Sequence, residues 1–84
     1  MRDTYKRIFP INDSGIAAAF AAEAYSFRVR FRKARSGGPN EYVIEGLASR
    51  KSDIDTIVDN LIDMDTLASQ AAAEYFNRVE VASQ

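Results

Sequence analysis

Along residues 26–35 the chain reads Ser-Phe-Arg-Val-Arg-Phe-Arg-Lys-Ala-Arg, so Phe27, Val29 and Phe31 alternate with Arg28, Arg30 and Arg32. A period of two predicts a strand with one buried face and one charged face. Ser36-Gly37-Gly38-Pro39-Asn40 supplies the turn, and residues 41–49 return as a second strand. With Arg35 opposite Asn40, Phe31 meets Ile44, Val29 meets Gly46 and Phe27 meets Ala48 on the core side. Arg30 meets Glu45, Arg32 meets Val43 and Arg28 meets Leu47 on the other side. A slip of one residue would set Glu45 against Phe31, so the hydrophobic pattern selects the first register.

The remaining pattern is read against this hairpin. Thr4 to Ile11 predicts an opening strand, with Tyr5, Arg7 and Phe9 on one face and Lys6 and Ile8 on the other. Pro10 confines it to an edge, an end or a bulge. Asp13 or Ser14 can accept an otherwise unpaired amide and so cap a helix over Ile16–Ala24, which is rich in alanine. The rival reading runs residues 16–24 as a strand straight into the arginine arm. It puts Phe20 and Phe27 on opposite faces unless a bulge intervenes. From Ser52, read as an N-cap, the apolar positions Ile54, Ile57, Val58, Leu61, Ile62 and Met64 change to helical spacing. They continue through Leu67, Ala68, Ala71, Ala72 and Tyr75, with a break allowed at Asp63–Thr66. Asn77 to Ala82 then reads as a short closing strand, because Val79 and Val81 alternate with Arg78 and Glu80.

The order β-α-β-β-α-β over residues 1–84, as a single domain, predicts an α+β two-layer sandwich of ferredoxin-like arrangement. Its sheet would be antiparallel, with both helices on one face. The inference rests on element order rather than on resemblance to any family.

Composition narrows the chemistry. The chain has 84 residues, 46% apolar and 27% charged, which is ordinary for a small globular domain. It has no cysteine and no histidine, which removes disulfides, thiol nucleophiles, imidazole bases and the usual zinc sites. Ala22-Glu23-Ala24 resembles a leader-cleavage site, but the apolar run before it is short and flanked by charge. No stretch approaches the length of a membrane span. The expectation is a soluble, cytoplasmic protein without membrane contact.

Charge is divided along the chain. Residues 1–36 carry eight cations and three anions, residues 37–84 three cations and nine anions, and the whole has net charge −1. This polarity suits a charged partner. Two surfaces follow as candidates for binding one: Arg28, Arg30 and Arg32 with Lys33 and Arg35 near the hairpin tip, and the helical acids Asp55, Asp59 and Asp63. Edge protection explains the arginines equally well, because charged residues discourage unwanted pairing of an edge strand. Capping and solvation likewise explain the acids.

Sharper chemistry finds little support. Asp53-x-Asp55 resembles the start of a calcium loop, but Ile57 stands where a ligand belongs, and the glycine and closing glutamate are missing. Ser36-Gly37-Gly38 lacks the strand–loop–helix setting of a phosphate loop. No nucleophile elbow is present, and no cofactor or metal is expected. The leading expectation is therefore a small non-enzymatic protein-interaction module, either a regulator or inhibitor or a subunit of a larger assembly. The alternative is a nucleic-acid-binding protein using the arginine-rich hairpin. Against it, the hairpin aromatics share the core-facing parity, Tyr42 included, and only Tyr5 or Phe9 is left to point outward for base stacking. A monomer this small has a limited core, so self-association stays open as well.

Overall fold

A computed structural model describes residues 3–35 and 37–82, with side chains described as far as Tyr75. The elements run β1 (Thr4–Pro10), α1 (Ser14–Glu23), a 3-10 turn (Ala24–Phe27), β2 (Arg30–Lys33), β3 (Glu41–Leu47), a second 3-10 turn (Ala48–Arg50) and α2 (Lys51–Ala82). Among the described residues the sheet has three strands in the order β1-β3-β2, both pairs antiparallel. The α+β class holds, with three antiparallel strands and two helices. The ferredoxin-like order is not confirmed: among the described residues there are three strands and not four, and residues 77–82, expected as the fourth, are helical.

The reason lies in α2. Residues 51–84 contain neither glycine nor proline, so nothing interrupts a helix once it has formed. Extending an existing helix fixes one residue per hydrogen bond, whereas turning back to form a new strand would require a loop. The acids at 63 and 65 do not break it either. Asp65 turns inward and accepts the backbone N–H groups of Asn12 at 3.0 Å and Asp13 at 2.8 Å, so it holds the β1–α1 turn instead of capping a second helix. Ser52 is not the cap: the helix is entered through the 3-10 turn and already includes Lys51.

At α1 the expectation holds, and the rival strand over 16–24 does not form. Asp13 caps the helix, its Oδ1 accepting from the amides of Gly15 at 2.8 Å and Ile16 at 3.1 Å. Beyond α1, Arg28 adopts a left-handed conformation (φ 60°) that turns the chain onto the sheet only at Arg30. The first hairpin arm is therefore shorter than the alternation implied. Arg30–Glu45, Phe31–Ile44 and Arg32–Val43 pair as expected, whereas Phe27, Arg28 and Val29 lie before the strand begins. Phe27 instead stacks on Phe20, with centroids 5.7 Å apart.

Both helices cover one face of the sheet. Phe9, Ile44 and the partly buried Phe31 and Tyr42 meet Phe20 from α1 and Ile54, Val58 and Leu61 from α2. Phe20 meets the Phe31 ring edge-on at 4.9 Å, and Phe31 stacks on Tyr42 at 5.2 Å. Gly46 is needed where α2 crosses β3: a Cβ there would stand 2.8 Å from Cδ1 of the fully buried Ile54 and 3.3 Å from Cγ1 of Val29. Tyr5 and Phe9 lie on this covered face, so neither is the outward aromatic left open by the sequence.

Candidate binding surfaces

The uncovered face of the sheet is built by the residues that alternate with the core set. β1 contributes Lys6 and Ile8, β3 contributes Val43 and Glu45, and β2 contributes Arg30 and Arg32. The register lines them up in rows. Lys6, Glu45 and Arg30 form one row and Ile8, Val43 and Arg32 the next. Glu45 sits between two cations and pairs with Lys6 at 3.5 Å. Next to these rows, Lys6, Arg32 and Arg35 surround a shallow depression of about 470 Å³ floored by Ile8, Val43 and Ala34. Ile8 is 60% exposed there, although a large aliphatic side chain normally sits inside.

Of the five hairpin cations singled out in the sequence, this face gathers Arg30, Arg32 and Arg35. Arg28 stands at the turn before β2. It lines a separate groove of about 710 Å³ together with Tyr25, Val29, Arg30 and Leu47. Lys33 pairs with Tyr42 and so shares the parity of Phe31, opposite to Arg32. Among the described residues, no ion pair within 4 Å involves Arg28, Arg30, Arg32, Lys33 or Arg35.

The helical acids do not form one surface. Asp55 is engaged internally: its Oδ1 accepts the Tyr5 hydroxyl at 2.6 Å and Arg7 Nη1 at 3.1 Å. The Tyr5 hydrogen bond, followed by Arg7, holds the Asp55 carboxyl below its usual range. The same hydrogen bond to Asp55 raises the Tyr5 hydroxyl above its own, against the opposing pull of Arg7. The same carboxylate raises the Arg7 guanidinium. Lys51 Nζ lies 5.5 Å from the Tyr5 ring centroid and completes the cluster. Asp59 and Asp63 are exposed on the outer side of α2. Among the described residues, no group of three or more acidic side chains is arranged to hold a metal ion.

Sequence reasoning missed Lys6, Ile8 and Tyr25. The β1 alternation was visible, but Arg7 shares a face with Tyr5 and Phe9, which hid which side would be open. Tyr25, 92% exposed, carries no periodic signal because it lies in a 3-10 turn.

The chain matches no protein-family model, no curated protein and no solved structure. Among the described residues, no helix is long and apolar enough to cross a membrane.

Proposed function

We propose that this chain is a small non-enzymatic protein-interaction module, acting in the cytoplasm as a regulator, an inhibitor or a subunit of an assembly. Its open sheet face takes an acidic, partly apolar segment of a partner protein. The observation that carries this reading is the depression between Lys6, Arg32 and Arg35, with its floor of Ile8, Val43 and Ala34. An apolar floor within a charged rim is the anatomy of a protein interface. A partner leucine or phenylalanine covers Ile8, and flanking carboxylates meet Arg32 and Arg35 as charge-assisted, bidentate pairs.

One observation favours nucleic acid as the second reading. Tyr25 stands exposed beside Arg28 and Arg30 in the neighbouring groove, a pairing of aromatic and cation that suits a stacked base and its phosphate. A single experiment separates the two. The full chain is used to select from a random displayed-peptide library, and is titrated in parallel with labelled single- and double-stranded DNA and RNA across a salt series. The module reading expects enrichment of acidic-apolar peptides that the Arg32→Ala/Arg35→Ala variant no longer enriches. The nucleic-acid reading expects binding with a steep salt slope that weakens in Arg28→Ala/Arg30→Ala. Absence of acidic enrichment rejects the first reading.

A further inference from the structure

α2 is far longer than the body it packs on. Its 32 residues span about 48 Å at 1.5 Å per residue, and among the described residues the last buried side chain on it is Asp65. The radius of gyration is 15.7 Å, where a compact chain of this length would have about 12 Å. The accessible surface is 6365 Å², about 1,400 Å² more than a folded monomer of this mass exposes. A stable interface takes about 800 Å² from each partner, so the excess suffices for one.

The exposed arm is patterned. Ile54, Ile57, Leu61, Met64, Ala68, Ala71 and Tyr75 follow one another at alternating spacings of three and four residues, the a and d positions of a coiled-coil seam. Ile54 and Leu61 bury this seam in the body, while Met64 is 52% and Tyr75 65% exposed. Between them the seam passes along a groove of about 280 Å³ between α1 and α2, lined by Ile16, Phe20, Ile57, Leu61 and Met64. Buried core, groove and arm thus form one continuous apolar line, and its outer residues Met64 and Tyr75 are each more than half exposed.

We infer that a second copy of this chain covers it, the two α2 arms pairing antiparallel as a two-stranded coiled coil. Antiparallel pairing keeps the acidic first halves of the helices apart and puts the two bodies at opposite ends. One register makes every exposed layer apolar: Met64 faces Tyr75 of the second copy, and Ala68 faces its Ala71. The alanines at the centre let the helix axes approach closely, and the larger residues fill the flanks. In this register residues 75–82 of the second copy run along the α1–α2 groove. The interface uses a surface distinct from the open sheet face and stands or falls separately from it.

The test uses the full chain. Light scattering and sedimentation at micromolar to submillimolar concentration are expected to give about 19 kDa, twice the 9.4 kDa chain. Met64→Glu/Ala71→Glu, at two exposed positions where glutamate sustains a helix, keeps the helical circular dichroism and raises the dissociation constant about 100-fold or more. Gln70→Glu, on the opposite side of the arm, leaves the dimer intact. Because the chain has no cysteine, Met64→Cys and Tyr75→Cys chains can be mixed and oxidised, and the mixed disulfide is expected to exceed either self-disulfide. A monomer at every concentration would overturn the inference and leave the seam to a different helical partner. A dimer indifferent to Met64→Glu/Ala71→Glu, or dominant self-disulfides, would overturn it equally.

Discussion

Asp65 shows how much one side chain can decide in a chain of this size. It is 6% exposed, and its two oxygens take the amides of Asn12 and Asp13 where β1 ends and α1 begins. Removing the acceptor leaves two amides unpaired in a half-buried turn. Asp65→Ala should cost about 3 kcal/mol, a large share of the roughly 5–15 kcal/mol that holds a domain folded. Asp65→Asn, which keeps one acceptor oxygen, should lose less than half as much. Urea unfolding midpoints check both, and equal losses would show that the amides find other partners.

The Tyr5–Asp55–Arg7 cluster makes a separate prediction about pH. The folded Asp55 carboxyl lies below its unfolded value, so its contribution is present above about pH 4 and disappears as pH falls through the folded value. The folded Tyr5 hydroxyl lies above its unfolded value, so its contribution is present below about pH 10 and disappears as pH rises through the folded value. The stability difference between wild type and Asp55→Asn should therefore be widest near neutrality and shrink towards acid. That between wild type and Tyr5→Phe should shrink towards alkali. Denaturant midpoints across pH measure both, and a difference flat from acid to neutral would remove Asp55 from the account.

At the scale of elements, the sequence was most readable where two physical signals coincided. The hairpin register followed because hydrophobic alternation and the cross-strand pair Arg30–Glu45 demanded the same alignment. α1 followed because an Asp13 cap preceded an alanine-rich run. The reading failed where one weak signal stood alone. Val79 and Val81 alternate with charged residues, yet a two-step alternation over six residues cannot outweigh a helix without an internal breaker. The missing glycine and proline after Gly46 were the better guide. The lost half of the first hairpin arm had no such warning. Phe27 fits either a strand or a turn, and what decides is the left-handed Arg28. The candidate site was legible as a set of arginines but not as a surface. Its floor of Ile8 and Val43 appears only when β1 is placed beside β3, a long-range pairing that local pattern does not specify.

At the scale of the whole molecule, the absent fourth strand and the projecting arm are one fact. In the expected arrangement the closing strand would lie beside β1 and seal that edge of the sheet. α2 instead carries residues 77–82 on as helix, which leaves β1 as an edge among the described residues and Met64 and Tyr75 of the seam more than half exposed. Pairing of two arms makes that seam part of a core, and it also ties folding to concentration. Where unfolding releases two chains from one dimer, each tenfold rise in concentration stabilises the dimer by about 1.4 kcal/mol. For two 84-residue chains unfolding together this should raise Tm by about 3–5 °C per tenfold. Ile54→Val, a core change, should lower Tm at every concentration while preserving that slope. Met64→Glu/Ala71→Glu should flatten the slope while retaining the Tm of the dilute wild type. Thermal unfolding followed by circular dichroism over two decades of concentration distinguishes the cases. A flat wild-type slope would mean that the body folds alone and the arm adds nothing to its stability.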